Sequence, residues 1–306
     1  MEATPFFWIV FNVLVAGMLW LDLRVFHKEA HVVASREALK WSLVWVMMAL
    51  VFATSLYFFM GPEKGLEFLA GYVVEKSLSI DNIFVFSVIF QSLSIPLKYQ
   101  HRVLFWGIFG ALVCRGLMIW FGLGLIAHFH AILYLLGAFL IFTGLKIFWI
   151  PEKPLNLETH PIILFLQRFV PLTPTIEGQQ LWVRTKGWQA TPLFVALVLI
   201  ECSDILFAVD SIPAIFAITL DPFIVYTSNV FAILGLRSLY FLLANALTRF
   251  IYLKSAISVL LCFVGIKMVM VDIYKIPTEW SLLMILLILG GGILLSYRQG
   301  DQNCRK

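Results

Sequence analysis

Residues 192–219 read PLFVALVLIECSDILFAVDSIPAIFAIT, an apolar run that carries Glu201, Asp204 and Asp210 and no basic residue. A helix that crosses a bilayer needs about 20 mostly apolar residues, so this run spans with length to spare. A charge at mid-depth costs at least about 2.5–3.5 kcal/mol on insertion scales. Each of the three acids must therefore face a partner or a wet cavity. The rest of the chain shares the apolar character. It is 61% hydrophobic and 13% charged, against about 25% charged in an ordinary soluble domain. The solvent is lipid, and the 28 Phe and ten Trp suit lipid-facing and interfacial positions.

Working outward from that run, the hydropathy pattern predicts an all-α membrane protein of nine spans in a single transmembrane domain, 1–306. The spans are 6–23, 41–60, 68–92, 103–126, 131–150, 191–219, 223–247, 255–274 and 280–297. Turn chemistry separates them, as at Gly61-Pro62, Ile95-Pro96 and Asp221-Pro222. The first run lacks a basic leader and a small-residue cleavage site, and Asp22 and Arg24 close it, which reads as a retained span rather than a signal peptide. The one long connection, 151–190, is polar and rich in proline. It is expected to be a cytoplasmic linker with one short amphipathic piece, Ile162–Phe169, lying on the membrane surface.

Basic residues orient the spans. With the N-terminus outside, the inner loops and tail hold Arg24, Lys28, Arg36, Lys40, Lys98, Arg102, Lys153, Arg168, Arg184, Lys186, Arg249, Lys254, Arg298, Arg305 and Lys306. The outer loops hold Lys64 and Lys275 alone. That bias predicts a multi-pass inner-membrane protein with a cytoplasmic C-terminus.

Spans three to five resemble spans six to eight. Glu75 and Asp81 are matched by Asp204 and Asp210, Arg115 by Arg237, and Lys146 by Lys267, in the same order. Three spans is an odd number, so the second copy would enter the membrane inverted. Such inverted repeats are typical of transporters that hold substrate at the midplane.

Five acids lie inside apolar spans: Glu75, Asp81, Glu201, Asp204 and Asp210. On an ideal helix Glu75, Ser79 and Asn82 share a face, as do Glu201, Asp204 and Ser211, while Asp81 and Asp210 fall away from those faces. Pro213 cannot donate to the carbonyl of Val209. A helix break there is expected to turn Asp210 inward and offer backbone oxygen. The candidate metal ligands are thus Glu75, Asp81, Asn82, Glu201, Asp204, Asp210 and Ser211, with Ser77, Ser79, Ser203 and Asn229 in support. All are oxygen donors, which suit hard cations such as Mn²⁺, Mg²⁺ and Ca²⁺ over zinc or copper.

Five bases share those depths: Lys76, Arg115, Lys146, Arg237 and Lys267. They are candidate gates or counter-ions, and mutual neutralisation is the competing reading. Cys114, Cys202 and Cys262 sit in apolar runs and Cys304 in the tail, with no C-x-x-C spacing. No catalytic Gly-x-Gly-Asp, Ser-His or H-E-x-x-H arrangement is present, which points away from an enzyme. No basic, aromatic-interleaved tract suggests nucleic acid. No permanently bound cofactor is expected, and oligomeric state is not legible.

The stretches 75–82 (EKSLSIDN), 201–214 (ECSDILFAVDSIPA) and 221–237 (DPFIVYTSNVFAILGLR) resemble the TerC family of integral membrane proteins. The resemblance extends over nearly the whole chain and is closest to a bacterial, alkali-inducible branch linked to manganese export. It implies Mn²⁺ as the cation exported through the carboxylate site. The family also carries a tellurium-resistance label, but a tellurite oxyanion would want a cationic site, and this one is acidic. A membrane assembly or stress factor without transport activity is the other function the resemblance allows.

Overall fold

A computed structural model describes residues 5–26, 35–129, 131–149, 161–173, 178–184, 188–243, 252–274 and 276–303. Within these, the side chains at 21–26, 35, 81, 161, 167, 253 and 297–303 are not described. Several expectations therefore lie outside the described residues: the side chains of Asp81, Asp22, Arg24 and Arg298, the stretch 151–160, and Lys28, Lys186, Arg249, Lys275, Cys304, Arg305 and Lys306.

Eleven described helices follow one another: α1 (Pro5–Phe26), α2 (Ser35–Phe59), α3 (Pro62–Ser92), α4 (Leu97–His128), α5 (Ala131–Trp149), α6 (Pro161–Phe169), α7 (Pro192–Phe216), α8 (Pro222–Leu234), α9 (Leu236–Leu243), α10 (Leu253–Val269) and α11 (Thr278–Asn303). A two-stranded hairpin, β1 (Trp182–Arg184) and β2 (Trp188–Ala190), stands between α6 and α7. Proline begins several helices because its missing N–H is an orphan in the first turn anyway. This is seen at Pro62 of α3, Pro192 of α7 and Pro222 of α8. At α8 the Asp221 carboxylate adds a cap, accepting from the backbone of Phe223 at 3.0 Å and Ile224 at 3.4 Å.

Five described helices are long and apolar enough to cross a membrane: the α2 segment Arg36–Phe59, α4, α5, α7 and the α11 segment Thr278–Ser296. The pair α8 and α9, bent by 41° at Gly235, makes a sixth if it is one span. The other three expected spans fall on α1, α3 and α10. The described apolar part of α1 ends at Trp20 and α10 has 17 residues, while α3 is 31 residues long but carries Glu63, Lys64, Glu67, Glu75, Lys76 and Asp81 along its first two thirds. The outer surface fits lipid. Phe58, Phe59, Trp120, Phe121, Leu135 and Phe142 are each 65% or more exposed, more apolar surface than a water-soluble monomer tolerates.

The packing is paired. Helix α3 lies on α8 and α7, α4 lies on α7 and α8, and α5 lies along α10. Small residues let α5 and α10 approach closely. A Cβ added at Gly137 would lie 2.9 Å from the Gly265 carbonyl oxygen, and one at Gly265 would lie 2.7 Å from the Gly137 carbonyl oxygen. A second close crossing sets Gly144 against Ser258, whose hydroxyl donates to the Gly144 carbonyl.

One expectation is corrected. Helix α7 does not break at Pro213 but runs through it to Phe216. Proline stands in the last turn, where its missing N–H disturbs little helix beyond it. The sharp bend lies instead at Gly235, between α8 and α9. Where it is described, the connection 151–190 carries α6 and the β1–β2 hairpin. Ala190 donates to the Pro171 carbonyl at 2.9 Å and accepts from Thr173 at 3.0 Å, tying the hairpin to the segment that leaves α6.

Candidate functional site

Four helices bring one cluster together. From α3 come Glu75, Ser79 and Asn82, at 0%, 1% and 1% exposure, the i, i+4, i+7 face expected from the sequence. Arg115 comes from α4, Asp204 and Ser211 from α7, and Asn229 from α8, all buried.

Arg115 is the hub. Its Nε donates to Asp204 Oδ2 at 3.1 Å and its Nη2 to Asp204 Oδ1 at 2.9 Å, the bidentate fork that guanidinium and carboxylate favour. Its Nη1 pairs with Glu75 Oε1 and also faces Ser211 Oγ at 3.3 Å and Asn229 Oδ1 at 3.2 Å. The Asn229 amide is oriented by its own donation to the Val225 carbonyl at 3.0 Å. Asn82 Nδ2 donates to Asp204 Oδ1 at 3.1 Å, tying α3 to α7.

Acceptors outnumber donors here. Glu75 Oε2, Ser79 Oγ and Asn82 Oδ1 are buried with no hydrogen-bond partner among the described residues. Two carboxylates also face one guanidinium. In a medium of low polarity such a surplus of oxygen lone pairs and negative charge favours a further cation or proton.

The remaining sequence-predicted residues are dispersed. The Glu201 carboxylate is only partly buried and fills the space that a Cβ at Gly110 of α4 would need. Asp210, also partly buried, turns to Thr143 and Lys146 of α5 rather than to Arg115. Lys146 is exposed. Ser77 and Ser203 donate to the carbonyls one turn back on their own helices, at 2.7 Å each. Among the described residues, no group of three or more His, Cys, Asp and Glu side chains is gathered as a metal cage. The cluster instead mixes two carboxylates with amide and hydroxyl oxygens around an arginine.

Lys76 does something the sequence did not suggest. Its Nζ donates at 3.1 Å to the carbonyl of Ala232, in the last turn of α8 beside the Gly235 bend. Last-turn carbonyls lack intrahelical partners, and the ammonium supplies one. Arg237 is buried just past the bend, where it lines a small apolar pocket with Phe86, Leu104, Ile200 and Asp204.

At the end of the bundle where α3 and α8 begin, a cleft of about 1240 Å³ opens, lined by Glu63, Lys64, Glu67, Asp221, Lys267 and Glu279 among others. Lys64 bridges Glu67 and Asp221 at 3.0 Å each, and Thr219 donates to Glu67 at 2.8 Å. Glu67 lies two turns before Glu75 on α3. Between them Gly71 packs so tightly on α8 that an added Cβ would lie 2.9 Å from Ser228 Oγ.

With this geometry in hand, comparison with known proteins is decisive on kinship. The family model described as "Integral membrane protein TerC family" matches residues 60–303. The chain belongs to the TerC family. This TerC chain is 52% identical over 294 residues to the "Uncharacterized membrane protein STKORF319" of Myxococcus xanthus, covering 96% of the chain and 92% of that protein. It is 46% identical over 289 residues to the "Putative membrane-bound redox modulator Alx" of Escherichia coli (strain K12), covering 91% and 90%. It is 42% identical over 290 residues to an "Uncharacterized membrane protein" of Rickettsia bellii, covering 94% and 96%. No solved structure matches. The matched family is one of multi-pass integral membrane proteins, in keeping with the apolar helices of this fold.

Proposed function

We propose that this TerC protein exports a hard divalent cation, most directly Mn²⁺, through the cluster around Arg115. One observation carries the reading: a buried arginine held between a carboxylate of α3 and a carboxylate of α7, with acceptor oxygens to spare. The guanidinium is a tethered cation in an oxygen site. A divalent ion entering the site displaces it, and its return expels the ion and keeps the empty carboxylates neutralised. Mn²⁺ is the substrate, and no permanently bound cofactor is required. The choice of Mn²⁺ among hard cations rests on the family resemblance.

The same reading makes nine spans of α1, α2, α3, α4, α5, α7, the bent pair α8–α9, α10 and α11. On this reading the protein lies in the inner membrane with its N-terminus outside and its C-terminus in the cytoplasm, the orientation that the basic loop residues favour. An inverted repeat would relate α3, α4 and α5 to α7, α8–α9 and α10. The packing supports it. The contact of α3 with α8 corresponds to that of α7 with α4, and α5 meets its own counterpart, α10. The crossing of Gly137 with Gly265 likewise corresponds to that of Ser258 with Gly144, each residue 121 positions from its counterpart. Glu75 and Asp204 then give each half one carboxylate at the shared site.

The test is flux by the purified protein alone in liposomes, with Mn²⁺, Ca²⁺ and Mg²⁺ offered in turn under an imposed pH gradient. Transport of Mn²⁺ above protein-free liposomes supports the proposal. No flux of any of the three in correctly inserted protein would favour an assembly or stress role without transport.

A further inference from the structure

We propose that α6 and the β1–β2 hairpin form a collar that binds anionic phospholipid headgroups at the basic end of the bundle. Helix α6 is docked by one face and bare on the other. Ile163 is 7% exposed and packs into the apolar cluster of Phe90, Val103 and Leu193. Leu164, Phe165 and Phe169 are 48%, 61% and 70% exposed, and the two Phe rings lie 4.8 Å apart. Positions 164, 165, 168 and 169 fall on one helical face, so exposed Arg168 stands beside the bare aromatic rings.

The hairpin adjoins α6. Its second strand is bonded to residues 171–173, directly after α6. It presents Trp188 at 65% exposure and exposed Arg184. The collar is fixed to the membrane-crossing part of the fold through Trp182, whose ring lies 4.6 Å from Phe194 in the first turn of α7. Thr191 fastens the same junction by donating to the Gln180 carbonyl at 2.8 Å.

The occupant of this face follows from its position and charge. It continues, at the start of α7, the apolar surface of a protein that resides in lipid. A short helix with Phe and Leu to one side and Arg beside them is the composition that lies in the headgroup–acyl boundary. Trp is the residue enriched there. Arg168 and Arg184 make no ion pair with a described residue. Lys98 and Arg102 stand at the start of α4, so this end of the bundle is basic. A cationic rim around inserted aromatics is complementary to an anionic leaflet.

The experiment uses the full chain with its cysteines replaced by serine, a nitroxide introduced at Phe165→Cys or Phe169→Cys, and reconstitution into vesicles. One set is phosphatidylcholine alone; the other contains added phosphatidylglycerol. A label at Leu135→Cys, on the lipid-facing side of α5, calibrates lipid contact. The collar predicts collision with oxygen and protection from a water-soluble nickel chelate, deeper by a measurable shift in the anionic vesicles. Arg168→Gln with Arg184→Gln, both at exposed positions, should abolish the anionic increment while the apolar contact persists. Free nickel access in both lipids would overturn the proposal, since the face would then be in water, and wild-type protection equal in the two lipids would overturn the part played by anionic headgroups. Protection from both reagents would overturn it too, since protein, such as a second copy of the chain, would then cover the face. An unchanged increment in the double variant would remove the arginines from the account.

Discussion

Arg115 grips Asp204 with two parallel hydrogen bonds, 3.1 Å from Nε and 2.9 Å from Nη2, and so locks α4 to α7 in the middle of the apolar fold. The same side chain reaches Glu75 on α3. Removing it leaves two buried carboxylates without their counter-ion. Arg115→Met is expected to lower stability by about 3–5 kcal/mol, the usual cost of breaking a buried pair from one side. If the cluster is a cation site, Mn²⁺ should take the place of the guanidinium. Thermal unfolding in detergent should then show a larger rise in midpoint with added Mn²⁺ for the variant than for the wild type, since a ligand at 100 times its Kd adds about 2.7 kcal/mol. A midpoint indifferent to Mn²⁺ would count against ligation there.

Lys76 is expected to matter for folding rather than for cation selectivity. Its ammonium satisfies the Ala232 carbonyl at the end of α8. Lys76→Met should cost about 1–3 kcal/mol, the value of a hydrogen bond to a charged group with the partner left unpaired. The measurement is the unfolding midpoint together with the ratio of Mn²⁺ to Ca²⁺ flux. An unchanged midpoint would remove Lys76 from the bend, and a changed ratio would move it into the site.

How far the sequence carried depends on which forces act locally. The all-helical membrane character, the five described helices long enough to cross, the buried face of Glu75, Ser79 and Asn82, and the partnership of Arg115 with carboxylates follow from length, helical period and the cost of burying charge. Each is set within one helix or by a simple demand for neutrality. Proline removes a hydrogen bond wherever it stands, which makes Pro213 the expected place for a bend. Proline three residues before a helix end has almost no helix left to break, whereas Gly235 sits mid-run between two apolar segments. The role of Lys76 and the turning of Asp210 toward α5 depend on which helices touch, and no single-helix pattern contains that. The hairpin had a faint signal in Trp182-Val-Arg and Trp188-Gln-Ala, two short runs too brief to stand out from a proline-rich loop. Glu67 carries no signal in the sequence because it lies just outside the apolar run, yet it bonds Lys64 and Thr219 in the lining of the cleft.

The crossing of α5 and α10 supplies a prediction about packing. Gly265→Val would drive a side chain into the Gly137 carbonyl, which cannot move aside without shifting a helix. Overpacking of this kind costs about 1–3 kcal/mol, read as a lowered unfolding midpoint. Gly290→Ala, where an added Cβ meets nothing within 4 Å, is the matched control and should be neutral or stabilising by about 1 kcal/mol through helix propensity. Equal behaviour of the two variants would contradict the close approach.

Asp204 and Asp210 should separate in function. Asp204 touches Arg115 and Asn82, while Asp210 faces Thr143 and Lys146. Asp204→Asn is expected to reduce Mn²⁺ flux by at least tenfold, the equivalent of about 1.4 kcal/mol in the barrier. Asp210→Asn should leave more flux than that. Initial rates in proteoliposomes check the order, and the reverse order would relocate the site toward α5.

Ligation of the transported ion by Glu75 and Asp204, beyond their neutralising Arg115, is the core of the proposed function. It is tested most directly by Mn²⁺ flux in proteoliposomes carrying the double variant Asp204→Asn with Arg115→Gln. That change removes one negative and one positive charge, so the net charge of the cluster is preserved and no lone arginine is left buried. The expected result is a folded, inserted protein that moves no Mn²⁺ above protein-free liposomes. Flux at the wild-type rate would contradict it, for the carboxylates would then be partners of an arginine and nothing more.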